Sequence, residues 1–586
     1  MKLLTMLLTR IRGARTIATL LLCALAVVAQ TTTTKIQEPP LGFGIIKGRV
    51  VNESGQPLAN AVVTIARFEA ARSSYQSAIT DREGKFELTG LERVTYRLSA
   101  RLPAYTPLLQ EPDGEETTYR AGDTVTLVLV KGGVITGTVT NQAGEPVVGV
   151  WVHARLTRGA ERLPWLHRIL PRQRLTDDRG VYRIYGLPPG TYVVSAGGPA
   201  EQMWRAGPFA FDAPTFAPAA STRDTAEEYT VHSGQELGNV DIRYRNEPGR
   251  TISGRASGPA SSEARGFGIR LTHATDGGGF GYTTGQPSVD KGFVFGGLAD
   301  GDYDIIAFSS SAGNVSMWSE SKRIKVNGAD VSGIELVTQP LSAVSGKVVL
   351  QELKTVECAD KQRPIVSETL VAARQKTTTR ITEVPFWTAG SPSNADAEGN
   401  VVLRNLVPGQ YYFKAQFSGK AWYLDSITLP AQRTSEARAP LQAKPVDAAK
   451  TWTMLKSGER LSGLTITLAQ GAASVQGELT PKEGEKLSVY LVPAERERVD
   501  DVLRFFTTVA GVDGKIELNN VAPGRYWVLV TSEAVSLNKL RSPDATEVRS
   551  RLRRAAEAAK SEIELKPCQN LANFQPPVTP LEKSPN

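Results

Sequence analysis

The sequence predicts an all-β protein, a tandem array of about five antiparallel β-sandwiches with one C-terminal helix, and three observations carry that reading. One phrase, "TDDRGVYRIYGLPPGTYVVSA" at 176–196, recurs as "TDREGKFELTGLERVTYRLSA" (80–100), "SVDKGFVFGGLADGDYDIIA" (288–307), "DAEGNVVLRNLVPGQYYFKA" (396–415) and "GVDGKIELNNVAPGRYWVLV" (511–530). Every copy alternates apolar and polar residues with a period of two, the mark of a half-buried strand. A chain of 586 residues is also too long for one core and calls for several domains.

From the N-terminus, Lys2, Arg10, Arg12 and Arg15 precede the apolar run "IATLLLCALAVVA", and Val27 and Ala29 form a small-residue cleavage pattern before Gln30. This reads as an export signal over residues 1–29, followed by a linker over 30–44. The run is too short for a transmembrane helix, and no later stretch reaches the ~20 apolar residues of a span. Cys23 raises a lipoprotein reading, but Leu22 before it is large for such a site, and plain secretion is preferred.

The repeated phrase is anchored on Tyr96, Tyr192, Tyr303, Tyr411 and Tyr526. Ten residues before them stand Phe86, Tyr182, Phe293, Val401 and Ile516; eight before, Leu88, Ile184, Phe295, Leu403 and Leu518. An Asp/Gly turn precedes this strand, and Gly90, Gly186, Gly297, Asn405 or Asn520 follows it, read as a compact turn into a second strand. Each tyrosine is expected to bury its ring and lock a corner through its hydroxyl, a packing role before any binding role. Opening strands run through Gly48 and Gly137 and, later, through "ISGRAS", "VSGKVVL" and "VQGELT"; closing strands lead at once into the next opening strand. The sandwiches therefore span 45–131, 132–247 with a long loop insertion, 248–340, 341–470 and 471–574, joined like beads on a string.

Near the end, "PDATEVRSRLRRAAEAAKSEI" (543–563) predicts a helix capped by Asp544, with Val548, Leu552, Ala555, Ala556 and Ala559 facing the fifth sandwich and Arg549, Arg553 and Arg554 facing away. "EIELKPC" then reads as a final strand, and 575–586 as a disordered Pro-rich tail.

The motifs "GxVxNxxGxPLxNAxV" in the first copy, "GxVxNxxGxPVxGVxV" in the second and "DxxGxYxxxGLPPGxY" at Asp177 to Tyr192 resemble the carboxypeptidase regulatory-like domain. The resemblance implies a prealbumin-like (Ig-like) sandwich related to starch-binding-like and collagen-adhesin B-type modules. It covers nearly all of the chain after the signal, more strongly in the first two domains than in the third and fifth. Such modules serve as accessory units in peptidases, adhesins, carbohydrate enzymes and outer-membrane receptors, so the resemblance speaks to fold more than to activity. The internal Lys–Asn crosslink of collagen-adhesin modules is not expected, because "NNVAPGRY" and "RNLVPGQY" lack its helper acid.

Chemistry-bearing motifs are absent: no HxxE zinc pair begins at His153, His167, His232 or His273, and no GxSxG, phosphate loop, HExxH or paired CxxC occurs. No catalytic residue, metal or cofactor is therefore expected. Asp177 and Asp178 are assigned to the turn before Gly180, ahead of a calcium contact. The formal charge of +8 falls to 64 basic against 60 acidic side chains once the signal is removed, which argues against nucleic acid. Cleavage leaves Cys358 and Cys568; a disulfide between them and two separate thiols both stay open.

The function expected is a non-catalytic exported scaffold or adhesion protein in the periplasm, on the cell surface or in the medium. The alternative is a polysaccharide-binding accessory protein. Polysaccharide or a surface protein is the expected partner class, and any ligand is expected on loop aromatics: Trp165, Trp204, Phe209 and Trp387. Trp151, Trp422 and Trp527 fall in strand patterns and are assigned to the core.

Overall fold

In the first, second and fourth copies of the repeated phrase the turn aspartate organises the hairpin: Asp81 accepts from the Lys85 amide at 2.7 Å, Asp177 from Val181 at 2.8 Å and Asp396 from Asn400 at 2.7 Å. The strand that follows sends alternate residues inward; Leu88, Ile184, Phe295 and Leu403 are at most 1% exposed. These contacts come from a computed structural model that describes residues 44–68, 75–108, 117–157, 172–199, 207–258, 267–274, 279–283, 292–310, 316–353, 358, 362–376, 392–431, 444–480, 486–511 and 513–576. The predicted signal peptide and residues 577–586 of the predicted Pro-rich tail, with His167, lie outside them.

Gly90, Gly186, Gly297, Asn405 and Asn520 all adopt positive φ, between 57° and 73°. They do not start a new strand. The strand runs on through them, as in Lys85–Leu91 and Val181–Leu187, and the pairing register slips at that point in all five copies. The feature is a β-bulge, and the true turn comes two residues later; Gly and Asn tolerate the left-handed backbone both demand.

Two sheets recur along the chain. In one, the opening strands Gly44–Val51, Gly133–Thr140, Arg250–Ser257, Ser342–Gln351 and Ala473–Glu478 pair antiparallel with the bulged strands. On its other edge each opening strand pairs in parallel with a closing strand: Thr124–Lys131, Ile242–Arg243, Val331–Pro340, Arg460–Gln470 or Asn570–Phe574. The glycine shared by all opening strands sits at this seam. A β-carbon on Gly48, Gly137, Gly254, Gly346 or Gly477 would collide with the carbonyl of Val125, Val240, Ile334, Leu464 or Phe574, respectively. These glycines give room for close backbone approach rather than an unusual φ.

The tyrosine-bearing strands build the second sheet, each pairing antiparallel with one earlier strand; Thr95–Arg101 with Val62–Arg67 and Gly190–Ala196 with Trp151–Leu156 are the first two. The third sandwich departs from the plan. Its strand Ser316–Ser319 pairs with both Gly301–Ser310 and Val331–Pro340, fusing the two layers into one eight-stranded sheet.

The C-terminal helix is real but differs in detail. It spans Thr546–Ala559 after a 3-10 turn at Pro543–Ala545, and no side chain caps it. Asp544 is not the cap; it accepts from Trp452 Nε1 at 3.0 Å. Arg549 is not solvent-facing either: it is buried beside Leu552 and Ala556 and donates to the carbonyls of Leu540 and Ser542, both at 2.6 Å. The carbonyls ending the short helix Leu537–Arg541 and the loop after it need donors, and a buried guanidinium supplies them. The strand Glu562–Leu565 is followed by another, Asn570–Phe574, which closes the fifth sandwich.

Beads on a string touch only their neighbours, and this chain does not keep to that plan. The first sandwich packs against the fourth: Thr95 Oγ1 donates to the Glu368 carbonyl at 3.0 Å, and Ser367 Oγ to the Arg93 carbonyl at 2.6 Å.

Candidate functional site

Trp165, Trp204 and Trp387 fall outside the described residues. Phe209 is half-buried, packed on the second core and edge-on to Tyr244 with ring centroids 5.7 Å apart. The exposed aromatic of that stretch is its neighbour Phe211, 72% exposed, which the sequence reading passed over because nothing in the pattern distinguishes 209 from 211. Of the strand tryptophans, Trp422 is fully buried, while Trp151 and Trp527 are half-buried.

The five tyrosines are buried and share one bond. Their hydroxyls donate to the carbonyl four residues upstream: Glu92 (3.1 Å), Pro188 (2.6 Å), Ala299 (2.8 Å), Val407 (2.7 Å) and Ala522 (2.6 Å). Burial raises their pKa in each tyrosine that shows a shift, to about 12 at Tyr526. All five hydroxyls donate to a backbone carbonyl, locking the turn to the strand.

Among the described residues no three His, Cys, Asp or Glu side chains gather as a metal site would need. His153 is 2% exposed, and burial, with Arg155 adding to it, lowers its pKa to about 3. It is a neutral residue of the second sandwich. Asp177 has its carboxylate held below the ordinary range by the Val181 amide and by Arg179, which is a turn's chemistry.

Buried polar groups join sandwiches at two boundaries. At the first-to-fourth junction Glu368 is 5% exposed, with Arg120 Nε 3.7 Å from its carboxylate. Burial raises its pKa, outweighing a hydrogen bond from Ser418 and the attraction of Arg120 and Arg93, while Asp123 adds to the rise. The gap beside this contact, lined by Phe68 of the first sandwich and Leu370 and Ala372 of the fourth, measures only ≈20 Å³. That is room for about one water.

The fourth-to-fifth junction is covalent. Cys358 and Cys568 form a disulfide across 210 residues of sequence. Beside it the bulge residue Asn520 donates to the carbonyls of Gly419 (2.6 Å) and Trp422 (2.7 Å). Arg504, 4% exposed, donates to the Pro523 carbonyl at 2.9 Å and lies 3.7 Å from Asp425 of the fourth sandwich and 3.6 Å from Asp501. Burial works against its charge, but Tyr526, Tyr423 and Asp501 more than compensate and raise its pKa. The bulges serve other junctions as well: a β-carbon on Gly297 would strike the Ala210 carbonyl of the preceding sandwich, whereas one on Gly90 would face open space.

Residues 45–130 match the carboxypeptidase regulatory-like domain. No curated protein matches the chain. Among solved structures, a Streptococcal ancillary pilin is 12% identical over 51% of this chain and 100% of its own, with a TM-score of 0.17. A minor pilin of Streptococcus agalactiae is 12% identical over 35% and 96%, with a TM-score of 0.19. The major pilin subunit of Bacillus cereus is 8% identical over 51% and 99%, with a TM-score of 0.13. Scores of this size carry no argument about role; the sandwich assignment rests on the strand pairing above.

Proposed function

We propose, starting from a first sandwich of the carboxypeptidase regulatory-like kind, that the chain is a non-catalytic, exported scaffold or adhesion protein whose sandwiches hold one another in fixed positions. The observation that carries this reading is where two of the four buried Glu, Arg and His side chains among the described residues go, the other two, His153 and Arg549, lying inside single sandwiches. Glu368 and Arg504 are each nearly inaccessible and each spent on joining one sandwich to another. A catalytic carboxylate or base would instead face an open cleft. Export is supported by the disulfide, a bond that persists in oxidising compartments, and by the apolar run at the N-terminus. Among the described residues no helix is long and apolar enough to cross a membrane.

The test is a spin-label pair, one label on the exposed face of the first sandwich and one on the fourth, in the purified protein. A single narrow distance distribution is the expected result, and a broad one removes the fixed-scaffold reading. A panel of hydrolase and peptidase substrates addresses the second half: turnover that disappears on replacing one polar residue would make the protein an enzyme.

A further inference from the structure

The boundary between the second and third sandwiches encloses a cleft of ≈200 Å³ that no part of the scaffold reading uses. Ser221, Thr222, Arg245 and Glu247 line it from the second sandwich, Arg250 and Asp300 from the third, and proline, alanine and leucine complete the wall. Arg245 is already committed to Glu247, Nη2 to Oε2 at 2.5 Å, and Thr222 shares its hydroxyl with Thr225 at 2.9 Å. The rest is open. Among the described residues the Arg250 guanidinium has neither an ion pair nor a hydrogen bond, and it is exposed. Asp300 accepts from the Gly328 amide with Oδ1 at 2.9 Å and leaves Oδ2 unused, and the Ser221 hydroxyl has no partner there.

These groups define a ligand by complementarity. An unpaired guanidinium is a fork shaped for a carboxylate or phosphate. The free carboxylate oxygen of Asp300 in the same cleft accepts but cannot donate, so a ligand that engages it must also bring hydroxyl donors. Inorganic phosphate meets the first demand but is repelled by Glu247 and Asp300; a neutral sugar meets the second and leaves Arg250 idle. The volume lies below the ~300–1,000 Å³ of drug-sized sites and suits one ring rather than several. Phe211 stands at the same boundary, its carbonyl accepting from Gly249 at 2.9 Å and its exposed ring beside Gly296. Its ring does not line the cleft, so the polar groups carry the recognition.

We propose that this cleft binds a single sugar acid, with the ligand carboxylate on Arg250 and its hydroxyls on Asp300 and Ser221. The cleft rests on the scaffold reading in needing the second and third sandwiches held together, but it uses neither the first-to-fourth nor the fourth-to-fifth junction, so a failed titration and a broad spin-label distance between the first and fourth sandwiches are separate outcomes. Isothermal titration of the whole protein with galacturonate, with galactose and inorganic phosphate as comparison ligands, tests it. Saturable galacturonate binding is expected, about tenfold tighter than either comparison and weakened about tenfold in Arg250→Gln with unfolding unchanged. Glu247→Gln, which removes a repelling carboxylate at constant size, should tighten galacturonate binding. Silence with galacturonate, equal binding of galactose or phosphate, or galacturonate binding indifferent to Arg250→Gln would each overturn the proposal; equal phosphate binding would make the cleft a simple anion site.

Discussion

The fourth sandwich meets the fifth and the first by opposite means. Toward the fifth, its neighbour in sequence, it offers a disulfide, a bulge asparagine with two short carbonyl contacts and a buried arginine flanked by two carboxylates. Toward the first, far away in sequence, it offers two hydroxyl-to-carbonyl bonds around one buried carboxylate. Charge strengthens the first arrangement, because Arg504 has acceptors enough to outweigh its burial. In the second, burial outweighs the neighbouring arginines, so the charge on Glu368 is a cost. An ion pair seen at a junction therefore does not by itself reveal which protonation state holds that junction together.

The sharpest way to break the contrast is Cys568→Ser. It opens a 210-residue loop and should lower the unfolding transition of the fourth and fifth sandwiches by about 2–5 kcal/mol, with the contact to the first unchanged in spin-label distance. Arg504→Met comes next. It strips Asp425 and Asp501 of their buried partner, but both carboxylates are about a third exposed, so a loss of about 1–3 kcal/mol in the same transition is expected by denaturant titration. Tyr192→Phe leaves both junctions alone and orphans the buried Pro188 carbonyl; it should cost about 1 kcal/mol, read as a lowered melting point of the second sandwich only.

The smallest effect has the opposite sign. The folded pKa of Glu368 lies above the ordinary 4.5, so the closed junction binds the proton more tightly than the open one. Its contribution is complete below 4.5 and is lost as pH rises through the folded value. The closed fraction, read from labels on the first and fourth sandwiches, should hold or grow on acidification from neutral, and Glu368→Gln should keep it closed and flatten the dependence. Opening on acidification would show that the pairing with Arg120 outweighs burial and would erase the distinction between the two junctions.

Much of this fold was legible because its determinants are local and repeated. Leu88 and Ile184 announce their face by alternation, and the tyrosines announce the corner by recurring at one register. The bulge was misread as a turn because positive φ serves both, and only strand pairing tells them apart. Arg549 and Glu368 were illegible for a different reason. Each is a charged residue in an ordinary polar setting, and its burial depends on a partner distant in sequence or on carbonyls left over by another helix end. Of the loop aromatics, Phe209 turned to the core while Phe211 turned out, a choice fixed by Tyr244 and not by composition.

The seam glycines have a consequence for how the protein is made. In every sandwich the strand synthesised first is flanked, in parallel, by the strand synthesised last, and the glycine at their contact leaves no side chain to cover the gap in the meantime. While a sandwich is still emerging, that backbone edge is a vacant berth for any extended chain nearby, including the opening strand of another copy of the protein. The order of synthesis thus makes each sandwich vulnerable until its final strand arrives. In the fifth that strand is Asn570–Phe574, just past Cys568, so the last seam and the last covalent bond close together.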